Sequence, residues 1–151
     1  NGPLMGSKAW QTFGNDIESS LNIIEDIGPI PVKSYPPATK FYEAYTKRWK
    51  ENPQAGHGVG ASYDAVYMLA AAIEKAGTLD PDNVSAVISE IDMPGGVVGR
   101  LKFDKGHQLI YGEDPKTGGL GVWFQWKKGE RIIIYPESVA EGKIDKPTWV
   151  K

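Results

Sequence analysis

Tyr63, Val66, Tyr67, Ala70 and Ile73 recur three and four positions apart, and that period makes Ala61 to Gly77 the clearest helix of the chain. Its alanine-rich centre favours a helix of little bulk, so the apolar face is expected to pack closely on a sheet. Glu74 and Lys75 mark the wet side, and Gly77 supplies the stop. A second stripe, Phe41, Tyr42, Tyr45 and Trp49, runs along a helix opened by Pro36 and Pro37 and ended near Asn52 and Pro53. A third helix follows the cap Asp80, from Pro81 to about Ile91, with Val84, Val87, Ile88 and Ile91 inward. A short helix from Ser7 to Phe13 offers Ala9, Trp10 and Phe13. The stretch before it, Asn1 to Gly6, is turn chemistry.

The strand signals are weaker in the first half. Leu21 to Ile24 is a short strand, and Gly28 to Tyr35 is extended, because Pro29, Pro31 and Pro36 forbid a helix. Beyond Met93 the period changes to two. Pro94-Gly95-Gly96 is a turn, Val98 to Phe103 alternates, and Asp104-Lys105-Gly106 turns the chain into Gln108 to Tyr111. Leu120 to Trp126 and Arg131 to Tyr135 form an antiparallel pair across Lys127 to Glu130. The tail from Pro136 is a wrapped or frayed terminus. Helices with short strands, then a β-rich end, predict an α/β or α+β fold.

Composition narrows the function. The chain has 151 residues, 40% hydrophobic and 24% charged, which suits a globular unit with a real core. A net charge of −2, without a dense Lys/Arg cluster, argues against a nucleic-acid or anionic-membrane partner. Cysteine is absent, which excludes disulfides, thiolate metal sites and a cysteine nucleophile. The chain opens on Asn1-Gly2-Pro3 without an initiator Met, as expected of a start inside a longer gene product.

Catalytic patterns are missing. His57 and His107 have no partner at metal-ligand spacing, and no serine sits in a GxSxG elbow. Gly56 to Gly60 lacks both the Lys-Ser/Thr ending of a P-loop and the GxGxxG order. Glu25 and Asp26 are adjacent, so on a strand they face opposite sides and make a poor acid/base dyad. A glycine-rich approach to a helix start, His57 to Gly60, can instead bring backbone N–H groups to a ligand. These residues predict a binding protein, with no catalytic residue, cofactor or metal.

The order SYDAVYMLAAAIEKAG, then DxxxVxxxI, then GxLxFDxxG, resembles the C-terminal part of type I periplasmic binding proteins, the substrate-binding receptors of ABC importers for branched-chain amino acids, amides and urea. PPATKFYEAYTKRWKENP and LGVWFQWKKGERIIIYPE resemble the family's preceding helix and last strand pair. The resemblance covers nearly the whole chain. It implies an α/β fold of two lobes closing on a ligand, of which this chain is part. Residues 1–31 would belong to the second lobe, 32–118 to the first, and 119–151 to a crossover back into the second. The rest of the first lobe would lie elsewhere, in a missing N-terminal part or a partner chain, and much apolar surface should be exposed here.

The same resemblance implies the site. The family often places an acidic side chain in the turn matching Gly2 to Gly6, where it grips a substrate ammonium. Leu4 and Met5 occupy that turn here, which puts a charge-assisted grip in question. The family's aromatic wall ahead of the long helix falls near Gly58, and Gly58 and Gly60 leave room for a bulkier ligand or for His57. Trp10 is a second candidate wall, and Tyr63 opens the helix beside them. The implied partners are a small-molecule ligand and a membrane permease, and the implied location is periplasmic or extracellular, with or without a membrane anchor. A ligand-sensing module of a receptor or regulator would use the same fold, and a hydrolase dependent on His57 is a third reading.

Overall fold

The structure is a computed structural model, which describes residues 2–54, 58–147 and 150. Two short helices come first, α1 (Gly2–Met5) and α2 (Ala9–Phe13), then a 3-10 turn at Gly14–Ile17 and strand β1 (Leu21–Ile24). Three longer helices follow: α3 (Pro36–Trp49), α4 (Val59–Ala76) and α5 (Pro81–Ser89). The remainder is β2 (Asp92–Gly96), β3 (Gly99–Lys102), β4 (Val122–Lys127) and β5 (Glu130–Tyr135).

Local chemistry sets these boundaries. Asp80 accepts a hydrogen bond from the Asn83 amide at 3.0 Å and caps α5. Gly77 closes α4 at φ 63°, a left-handed value that suits glycine, and its N–H reaches the Ile73 carbonyl. Lys128 and Gly129 both adopt positive φ, 51° and 87°, which matches the tight turn that right-twisted strands β4 and β5 require.

β1, β4 and β5 form one antiparallel sheet in that order, and β2 and β3 form a separate hairpin. The core lies on the first sheet. Leu120, Val122, Phe124 and Ile133 are fully buried beside Trp126, with Ile24, Ile27, Ile30 and Val32 from β1 and the segment after it. Trp10 stacks on Trp126 at 5.9 Å and 29°, and Phe124 meets Trp126 edge-on at 6.1 Å. Gln125 is also buried, yet satisfied. Its Nε2 donates to the Ser19 and Asp145 carbonyls at 3.0 and 2.9 Å, and its Oε1 accepts from the Asp145 amide at 2.8 Å. The tail is therefore wrapped onto the sheet at least as far as Asp145.

Several expectations change. The predicted turn at the start contains α1, because Gly2 to Met5 close a helical turn against the sheet. Pro94 to Gly96 lie in β2, made irregular by a register shift between Met93 and Gly96. Gln108 to Tyr111 makes only isolated bridges, Phe103 with Leu109 and Tyr111 with Gly119. The largest change concerns α4. Its period is helical as expected, but Tyr63, Val66, Tyr67 and Ala70 are exposed, Val66 by 68%, and no sheet of the described residues covers them. The buried positions of α4 are Gly60, Asp64 and Ala72. Trp149 and His57 lie outside the described residues.

Candidate ligand-binding site

Two places gather the residues that the sequence singles out. The first is the junction where the segment after β1 meets the start of α4. Gly28 and Gly60 touch backbone to backbone: a Cβ on Gly28 would lie 2.6 Å from the Gly60 nitrogen. Only glycine permits that approach. Gly58, at φ 100°, turns the chain into α4. No side chain of α4 caps its start. Asp26 does so from a distance, with Oδ2 accepting from the Gly58 amide at 2.8 Å and Oδ1 from the Gly28 amide at 3.1 Å.

Asp64 repeats the device one turn further on. It is 3% exposed, and its two oxygens accept from the Val97 and Val98 amides at 2.8 and 2.9 Å. Burial raises its pKa above the ordinary 3.8, against the pull of those two amides. Tyr35 donates to the Gly96 carbonyl at 2.7 Å, and burial, with smaller contributions from the charges of Asp64 and Asp114, pushes its hydroxyl up to about 12. These bonds fasten the β2–β3 hairpin to α4 and to the segment before α3.

The second place is α1 with the β4–β5 hairpin. Met5 is buried in the core and Leu4 half-buried beside it. The carbonyls at the end of α1 lack helical partners. Trp126 Nε1 donates to the Leu4 carbonyl at 2.9 Å, and Arg131 Nη1 to that of Met5 at 2.8 Å. Trp10 lies flat against this hairpin rather than standing free, close enough that a Cβ on Gly129 would be 3.2 Å from its Nε1.

An open groove of about 950 Å³ runs between α3, α4 and β2. Aromatic rings line it in a continuous ladder: Tyr67 to Tyr63 at 5.0 Å, Tyr63 to Phe41 at 4.9 Å, Phe41 to Tyr45 at 6.0 Å and Tyr45 to Trp49 at 6.4 Å. Arg48 caps the ladder, 5.0 Å over the Trp49 ring. A smaller cavity of about 430 Å³ lies between the hairpin, the segment around Pro31 and Tyr42. Tyr63 lines the groove, whereas Leu4, Met5, Trp10, Gly58 and Gly60 line neither.

The structure thus brings Leu4, Met5 and Trp10 together, and separately Gly58, Gly60 and Tyr63. Sequence reasoning missed Asp26, Asp64 and Arg131. Asp26 carried a readable signal, an aspartate two positions before a glycine, which is the spacing of a side-chain-capped turn. Asp64 and Arg131 carried none, since their partners are far along the chain. Among the described residues no group of His, Cys, Asp and Glu could hold a metal, and no helix is long and apolar enough to cross a membrane.

No family model matches the chain. It is similar to a Leu/Ile/Val-binding protein homolog 7 of Brucella suis, 27% identical over 115 residues, and to a homolog 8 of Brucella abortus, 26% identical over 112 residues. Those matches cover 74% and 72% of this chain but only 27% and 26% of the relatives, so the chain spans about a quarter of their length. A solved branched-chain amino acid ABC transporter protein from Silicibacter pomeroyi superposes with a TM-score of 0.72 at 16% identity, over 95% of this chain and 38% of that one. A leucine-binding protein from Thermotoga maritima does so with a TM-score of 0.61 at 22% identity, over 85% of this chain and 33% of the other. The chain is similar to part of the Leu/Ile/Val-binding proteins and carries part of the type I periplasmic binding fold.

Proposed function

We propose that this chain is part of the solute-binding receptor of an ABC importer. It takes a small polar or amino-acid-like ligand between two lobes and delivers it to a membrane permease, without catalysis. The observation that carries this reading is the match to Leu/Ile/Val-binding proteins over 115 residues. Lobe closure around the ligand is the working motion. Residues 1–31 and 119–151 serve as the second-lobe part, which agrees with β1 pairing with β4. Residues 32–118 serve as the first-lobe part. The open face of α4 then receives a further segment of the same receptor or a partner chain, and the receptor works in the periplasm or outside the cell.

Aliphatic amino acids are the first ligands to test, in view of the names of the relatives. The turn at Leu4 and Met5 offers no acidic group for an ammonium, and Met5 is 5% exposed, so this turn contributes mainly backbone. Gly58, Gly60, Tyr63, Trp10 and His57 remain the other proposed contacts. Calorimetric titration of the receptor with leucine, isoleucine, valine, amides, urea, aromatic acids and purines is the test. Heat that saturates with one class supports the reading, and silence with all of them sinks it. A sensor domain of the same fold is the second reading, favoured by a kinase, DNA-binding or membrane-spanning segment in the same gene.

A further inference from the structure

Among the described residues, the Arg131 side chain of the β4–β5 hairpin donates hydrogen bonds to main-chain carbonyls alone. Its Nη1 donates to Met5 at 2.8 Å and its Nη2 to Pro29 at 3.1 Å. Burial pulls its pKa below the ordinary arginine value, so the folded chain keeps this charge at a cost. Among the described residues no ion pair involves it. Its neighbour across the strand pair is Trp126, which holds the Leu4 carbonyl. The hairpin therefore presents two donors, side by side, to the two terminal carbonyls of α1. Pro29 sits in the buried run Asp26 to Ile30, whose Asp26 caps the start of α4.

We propose that Arg131 is a positioning residue that couples the Leu4–Met5 turn to the segment crossing towards α4. The planar fork spans two carbonyls on separate segments, which a lysine ammonium on a single nitrogen does not reproduce. Displacement of the turn by a ligand is thereby passed to Pro29, and through Asp26 to the first turn of α4. The proposal deepens the receptor reading and rests on it only for the role of the turn in ligand binding.

The test uses Arg131→Met and Arg131→Lys in the receptor, read by amide hydrogen exchange and by L-leucine titration. Loss of the fork should speed exchange about tenfold in both segments, 4–10 and 26–33, as expected for removal of a hydrogen bond to a charged group. The slow amides of β4 and β5 should stay unchanged, which separates coupling from general destabilisation. Arg131→Ala should recover slow exchange in both segments on adding guanidinium ion, and not on adding tetramethylammonium. Faster exchange in one segment alone, or everywhere at once, overturns the coupling. If the wild-type receptor binds leucine, its affinity should fall in parallel; an unchanged affinity with both segments loosened overturns the link to the ligand. A wild-type receptor that binds none of the ligand classes titrated above refutes the receptor reading, and the exchange result then decides the coupling by itself.

Discussion

The sheet β1-β4-β5 and the helix α4 carry apolar faces of similar quality, and only the first is covered. Phe124 and Trp126 on β4 are 0% and 1% exposed, while Val66 and Tyr67 on α4 are 68% and 56% exposed. The sheet finds its lid within the chain, from α1, α2, the segment after β1 and the wrapped tail. Among the described residues, the exposed row of α4 meets α3 through the ring ladder from Tyr67 and Tyr63 to the buried Phe41. A helical period therefore guarantees a helix and an apolar face, but burial also needs a surface to bury it against.

The difference can be broken at its closed end first. Phe124→Ala should cost about 3–5 kcal/mol, the usual range for emptying an aromatic from a core, as read from the denaturant midpoint. A loss below about 1 kcal/mol would mean that the sheet is not the centre of stability.

At the boundary between the regions, Asp64→Ala should cost about 1–3 kcal/mol by leaving the Val97 and Val98 amides buried without an acceptor. Asp64 also gives a pH signature. Its folded pKa lies above the ordinary 3.8, so the unfolded chain loses that proton first. The contribution of this titration is fully present below pH 3.8 and is lost as pH rises through the folded value. Wild type should therefore lose stability relative to Asp64→Asn over that rise, measured by denaturation at successive pH values. The opposite slope would contradict the burial argument.

The open end should respond least. Val66→Glu should leave the unfolding free energy of this chain within about 0.5 kcal/mol of wild type, because a two-thirds-exposed valine contributes little to it. It should at the same time reduce self-association in sedimentation and block capture of a companion segment. A large loss of stability would show that the α4 face is packed in solution.

Much of the fold was legible because its signals are local. The period of α4, the paired prolines at the start of α3, the Asp80 cap and the β-branched run Ile132 to Ile134 each act within a few residues. The site was less legible because its bonds join distant positions. Asp26 reaches Gly58 across 32 residues, Asp64 reaches Val97 across 33, and Arg131 reaches Met5 across 126. Glycine carried part of this information. The glycines around the start of α4 pointed to backbone N–H groups near a ligand, and the structure shows a close approach of Gly60, in the first turn, to Gly28. What periodicity alone misassigned was the inward side of α4, where a carboxylate, Asp64, occupies the buried row.

The distant cap on α4 has a consequence for the order of assembly. The longest helix of the chain has no side chain of its own at its N-terminus and borrows the carboxylate of Asp26. Its first turn thus acquires its full complement of bonds only when the segment after β1 has already been laid beside it. A peptide of residues 58–77 made by itself would begin that helix with the acceptor missing.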